Sequence, residues 1–190
     1  MKLEWIPLYT ELAKALLSCK NNRKPLVDWI YSDISQVGES SLVEYLHMRD
    51  GSKITDIDPF SVFAIFNRPL RPANRVAMLQ MFKDRFSLKS EVPTDFNGIP
   101  TVNSQRAFFF SWDDNGERIN DLWAIFENVI FGKDISNLFD KVIADGVPKY
   151  SLTMVLYWIA PYDYLNLDGR NRLFLKKYGF PEQYPNLTYA

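Results

Sequence analysis

Apolar side chains recur at helical spacing along most of the chain. Tyr9, Leu12, Leu16 and Cys19 share one face at i, i+3, i+7 and i+10, after a Pro7 that suits a first helical turn. A second helix opens at Pro25, turns Leu26, Trp29, Ile30 and Ile34 inward and ends near Gly38, so the two are expected to form a helical hairpin. Asp58 before Pro59 predicts another start, because the carboxylate can cap free N–H groups; Phe60, Phe63 and Phe66 follow, and Pro69 stops the run. From about Ala73 to Ser87 the spacing buries Val76, Leu79, Phe82 and Phe86 and turns Lys83, Asp84 and Arg85 to water.

Helical spacing then breaks. Pro93, Gly98 and Pro100 punctuate residues 91–115, and the run AFFFSW at residues 107–112 reads either as a short buried strand or as a docked extended segment. It returns with Ile119, Leu122, Trp123, Phe126 and Ile130, again with Ile135, Leu138, Phe139 and Val142, and again with Leu152, Val155, Leu156 and Ile159 before Pro161. Without an internal repeat or a long Gly/Ser linker, the reading is one mainly helical domain over residues 1–180, with residues 181–190 the start of a linker.

Composition narrows the chemistry. The 190 residues include 14 Phe, 10 Tyr and 5 Trp, too many rings for a disordered tail, and 22 basic against 23 acidic side chains exclude a polybasic nucleic-acid binder. Any nucleic-acid site must therefore come from local clustering. One Cys and one His supply neither a disulfide nor a structural or catalytic zinc set, and the cysteine count fits a cytoplasmic address. Glu4 and Glu11 interrupt the N-terminal apolar run before a signal core or membrane span accumulates.

Several enzyme classes are likewise unsupported. The sequence has no G-x-x-x-x-G-K-[ST] phosphate loop, no G-x-G-x-x-G fingerprint and no acid two residues before a Lys. His47 and Cys19 lack a nucleophile motif around them, and Cys19 falls on the apolar stripe of the first helix. Of the carboxylate pairs, Asp56/Asp58 includes a helix cap and Asp113/Asp114 reads as a turn.

Polar chemistry concentrates in two segments. Residues 66–75 hold Asn67, Arg68, Arg71, Asn74 and Arg75 without an acid; residues 166–177 hold Arg170, Asn171, Arg172, Lys176 and Lys177 against Asp168 alone. Guanidinium forks suit phosphate, and Asn can donate and accept at a base edge. The candidate phosphate contacts are Arg68, Arg71, Arg75, Arg170, Arg172 and Lys176. A base pocket would draw on Asn67, Trp112, Tyr157, Trp158, Tyr162, Tyr164, Asp168 and Asn171, with the rings stacking an extruded base and Asp168 accepting from an exocyclic amine. The competing roles are ordinary ones: rings at helical spacing pack a core, and Asp168 caps a helix near Asn171 or pairs with a nearby Arg.

At these residues the sequence resembles the N-terminal domain that precedes the AAA+ GTPase module in McrB-like proteins of modification-dependent restriction systems. The resemblance runs through ELAKALLSCKNNRKPLVDWIY, DIDPFSVFAIFNRPL, NRVAMLQMFKDRF, VPTDFNGIPTVNSQRAFFF, INDLWAIFENVI, SLTMVLYWIAP and YLNLDGRNRLFL, with Gly169 standing where that family usually carries Ser. It implies a domain that binds DNA and reports a modified base; base flipping is the mechanism that the residues themselves suggest, and no cofactor is expected. A GTP-hydrolysing motor would lie further along the chain, with cleavage left to a McrC-like nuclease subunit. Two other classes stay open: a protein-interaction or assembly module whose Arg/Asn segments are braces, and a glycosylase-like enzyme using Asp168.

Overall fold

Residues 3–37, 46–48, 50–103, 108–109 and 116–181 are described in the structure, a computed structural model. Among them are eight α-helices: α1 (Ile6–Leu16), α2 (Lys24–Ser32), α3 (Pro59–Phe66), α4 (Pro72–Phe86), α5 (Glu117–Ile130), α6 (Ser136–Ala144), α7 (Lys149–Ile159) and α8 (Gly169–Lys176). The chain is mainly helical, as its spacing predicts.

α3 is the axis of the core because it is apolar all round, and every one of its residues is buried. Asp58 starts it by accepting from the Ser61 N–H at 2.8 Å and from the Ser61 hydroxyl, while Pro59 occupies the first turn. Its three Phe rings reach three neighbours: Phe60 meets Phe126 of α5 at 5.5 Å, Phe63 meets Tyr9 of α1 at 5.7 Å, and Phe66 meets Phe82 of α4 at 5.2 Å. Each such ring stabilises the fold by about 1.5–3 kcal/mol through burial. The Trp123 indole donates to the Ile57 carbonyl at 2.9 Å and so fixes where the chain enters α3.

Three expectations need correcting. α1 packs chiefly on α7 and α4 rather than pairing with α2 as a hairpin, because Trp5 and Tyr9 turn toward Tyr157 and the α3 rings. In α4 the buried face is Arg75, Met78, Leu79 and Phe82, with Val76 and Phe86 only half-buried. The buried face thus includes a cation, Arg75, that the apolar spacing did not place there. Cys19 is half-exposed in a 3-10 turn after α1 rather than on the α1 face.

Among the described residues no strand forms, only an isolated antiparallel bridge between His47 and Lys53. Residues 91–103 run as an extended strap across the ends of several helices. The stretches 104–107 and 110–115, with Trp112 and Asp113/Asp114, lie outside the described residues, as does 182–190.

Candidate nucleic-acid interface

The strap explains why the first polar segment sits where it does. The Trp5 indole donates to the Asn97 carbonyl at 3.2 Å, the Trp158 indole to the Pro100 carbonyl at 2.9 Å, and the Val102 N–H to the Asn67 carbonyl at 2.9 Å. Gly98 turns the strap with φ +78°, and a Cβ there would come 3.0 Å from Leu3. Only glycine meets both demands without strain. The start of α1 and the ends of α3 and α7 are thereby fastened to one segment, and Phe96 is laid against the start of α4.

Asn67, Arg68 and Arg75 are enclosed at this junction. Asn67 is 0% exposed and ends α3; its Oδ1 accepts from the Tyr9 hydroxyl at 2.7 Å, and its buried Nδ2 has no hydrogen-bond partner. Burial pushes the Tyr9 hydroxyl pKa well above its ordinary value, so it remains a neutral donor beside Arg75. Arg75 is 8% exposed. Its Nη2 donates to the Arg68 carbonyl at 3.2 Å, its guanidinium lies 4.8 Å from the Phe96 ring centre, and its buried Nε has no acceptor among the described residues. Among the described residues no carboxylate pairs with it. Desolvation pulls its pKa below the usual arginine value, opposed by Tyr9. Arg71, at the N-cap of α4, is exposed.

The second polar segment is organised by capping. Asp168 is the N-cap of α8: one carboxylate oxygen accepts from the Asn171 N–H at 2.8 Å, the other from the Asn166 amide at 3.0 Å. The Asn171 amide returns to the Asn166 carbonyl at 2.8 Å. Both Asp168 oxygens are thus engaged by their own loop, the ordinary role that the sequence also allowed. The Arg172 guanidinium lies over the Tyr150 ring at 4.1 Å, while Arg170 and Lys176 are exposed. A Cβ on Gly169 would meet nothing within 4 Å, so a Ser fits there equally well.

The expected aromatic pocket is only partly assembled. Trp158 is fully buried with its indole N–H committed to Pro100, leaving no ring face for a ligand. Tyr157 is half-buried against Trp5 at 5.7 Å, Tyr164 is half-buried against the core, and Tyr162 is 85% exposed. The two polar segments flank different ends of α7: Arg172 sits by Tyr150, and Asn67 is linked through Val102 and Pro100 to Trp158. Eight residues of helix separate those anchors, about 12 Å.

Sequence reasoning missed Tyr9 and Phe96. A tyrosine in a Leu/Ala stripe was the available signal, since a buried hydroxyl must find a partner. It also passed over the run Lys20-Asn21-Asn22-Arg23-Lys24, which borders a cleft of about 500 Å³ with Thr55 and Asn120. There, however, the cations are balanced: Lys20 pairs with Glu127, Arg23 with Asp56 and Lys24 with Asp28, each at 2.6 Å. Burial pushes the Cys19 thiol pKa up, away from a nucleophilic thiolate. Among the described residues no group of three His, Cys, Asp or Glu is placed to hold a metal, and no helix is long and apolar enough to cross a membrane.

Residues 5–188 match the family model described as a domain of unknown function (DUF8425). No curated protein and no solved structure matches the chain.

Proposed function

We propose, taking as premise that the chain belongs to the DUF8425 family, that it is a DNA-recognition domain of a McrB-like restriction system. In this reading it senses a modified base and reports it to a GTPase motor outside these 190 residues. A McrC-like nuclease subunit does the cutting. The observation that carries the proposal is Arg75, a nearly buried residue with neither a carboxylate partner nor an acceptor for its Nε among the described residues. Burying an uncompensated charge costs several kcal/mol, so the arrangement persists most readily if an anionic or acceptor-rich ligand completes it. Asn67 Nδ2, a second buried donor without a partner, favours the same kind of ligand. A phosphate or a base carbonyl has the required chemistry.

Exposed Arg71 extends this donor set outward from the start of α4. The test is fluorescence anisotropy at low salt with duplexes differing only in methyl, hydroxymethyl or glucosylated cytosine and methyladenine. The expected result is affinity that falls steeply with salt and differs between marked and plain duplexes. Indifference to every oligonucleotide would overturn the proposal. A second reading, an assembly module, has the exposed apolar side chains of α8 in its favour. It predicts a light-scattering mass above that of one 22.2 kDa chain without DNA.

A further inference from the structure

Seven large hydrophobic side chains are exposed among the described residues, and all but Phe131 lie between residues 162 and 180: Tyr162, Leu165, Leu173, Phe174, Tyr178 and Phe180. α8 has no fully buried residue; it leans on α7 through Arg172 over the Tyr150 ring and leaves Leu173, Phe174 and, beyond its end, Tyr178 exposed. Phe174 and Tyr178, 55% and 67% exposed, have ring centres 5.0 Å apart at 52°. Two exposed rings in contact on one helix offer a surface of the kind that binds apolar or flat ligands.

Charge narrows the occupant. Arg170 and Lys177, four residues before and three after Phe174, share its side of α8, whereas Arg172 turns to the Tyr150 ring; the only acid between residues 164 and 181 is Asp168, which is occupied in capping α8. Arg170 and Lys177 have no acidic partner among the described residues. A second copy docking face to face would set Arg170 and Lys177 against their own copies, which like-charge repulsion disfavours. An amphipathic partner helix needs an apolar groove, whereas the outer side of a single helix offers a ridge. Duplex DNA supplies phosphates but hides the faces of its bases. An unpaired strand supplies both phosphates and flat apolar faces.

We propose that α8 is a stacking platform for unpaired nucleotides, with bases on Phe174 and Tyr178 and phosphates at Arg170 and Lys177. This rests on the DNA-recognition reading and adds the form of nucleic acid taken. It also gives a DNA sensor a way to hold a strand whose base has left the stack.

The experiment compares a 20-nucleotide oligo-dT, its duplex with oligo-dA and a duplex carrying an unpaired bubble, by anisotropy on the 190-residue chain. The single strand and bubble are expected to bind about tenfold more tightly than the duplex. Phe174→Ala with Tyr178→Ala is expected to cost on the order of tenfold per ring on the single strand. The Leu versions of both, which keep apolar bulk without a ring, are expected to lose as much. Arg170→Gln and Lys177→Gln should each lower the salt slope by about 0.7. Circular dichroism should show unchanged helix content, since both rings are exposed.

Full single-strand affinity in the Leu variants, or ring-dependent sedimentation with phosphatidylserine vesicles in place of strand binding, would overturn the proposal. Duplex binding that depends on Arg75 but not on the rings would overturn it and leave the DNA-recognition reading standing. Ring-dependent strand binding that Arg75 does not influence would support it and count against the role given to Arg75. No binding to any form would end both.

Discussion

Replacing Arg75 with Met separates a ligand-binding guanidinium from a structural brace, because the two roles predict opposite results. Met removes the hydrogen bond from Nη2 to the Arg68 carbonyl, worth about 1.5–3 kcal/mol for a charged donor. It also removes the contact with the Phe96 ring, about 0.5–1 kcal/mol, part of which a thioether against the same ring restores. Against this stands the desolvation of the guanidinium of a residue that is 8% exposed overall and has no carboxylate partner among the described residues, a penalty of up to several kcal/mol. The balance is near zero or favours Met. In a chain of this size each kcal/mol moves the melting temperature by roughly 2–4 °C. The expectation for Arg75→Met is therefore a melting temperature within about 4 °C of the parent or above it, by circular dichroism without DNA. Its affinity for duplex should fall by about 10- to 150-fold, the worth of one charge-assisted contact. A variant that melts more than about 8 °C lower while binding DNA unchanged would refute the reasoning and make Arg75 a brace.

Asp58→Asn tests burial through pH. Desolvation lifts the Asp58 carboxyl from 3.8 to about 6, outweighing its bonds from Ser61. Between those values the folded chain holds a proton that the unfolded chain has released. The stability this contributes is complete below 3.8 and is lost as pH rises through about 6, an effect of about 3 kcal/mol. Asn keeps a capping acceptor without the charge, so urea unfolding from pH 4 to 7 should show the variant gaining on the parent, and parallel curves would sink the idea. Arg170→Ala, at an exposed position, should leave stability within about 0.5 kcal/mol and lower the salt slope of DNA binding by about 0.7–0.9; an unchanged slope removes Arg170 from the interface. Trp158→Phe should destabilise by about 1–3 kcal/mol, because the Pro100 carbonyl loses its donor, while discrimination between modified and plain DNA persists. Loss of discrimination with unchanged stability would instead make Trp158 a ligand wall.

The helices were legible because their apolar spacing and caps are local properties. Asp58-Pro59 and Asp168 each announce a start within three residues, and the structure forms α3 and α8 at those points. Which cation is buried was not legible. Arg75 reads like Arg71 or Arg85 in a polar run; what encloses it is Phe96, 21 residues away, carried there by a strap whose anchors are carbonyls of Asn67, Asn97 and Pro100. Backbone acceptors have no sequence signature. The same limit applies to Trp158, whose ring looked available for stacking until Pro100 took its N–H. The openness of α8 was hidden for the opposite reason: Leu173 and Phe174 predict burial, yet each is 55% exposed.

The two polar segments therefore differ in kind as well as position. At Arg75 and Asn67 the donors are fixed, dry and few, and a contact made in such surroundings is strong and sensitive to shape. Along α8 Arg170 and Lys177 are exposed, and contacts there are individually weak, additive and screened by salt. Placed at opposite ends of α7, about 12 Å apart along its axis, they fit a division in which α8 captures strand and the enclosed donors inspect what is captured. Capture without inspection gives binding that is strongly salt-dependent but blind to modification; inspection without capture gives discrimination at an affinity too low to use. Combining Arg170→Ala with Arg75→Met distinguishes this division from two independent sites. If one DNA molecule bridges both, the salt slope follows Arg170 and the ratio between marked and plain duplexes follows Arg75. The double variant loses both properties in one titration. Two separate binding phases in that titration, each removed by one substitution alone, would show that the ends of α7 serve different ligands.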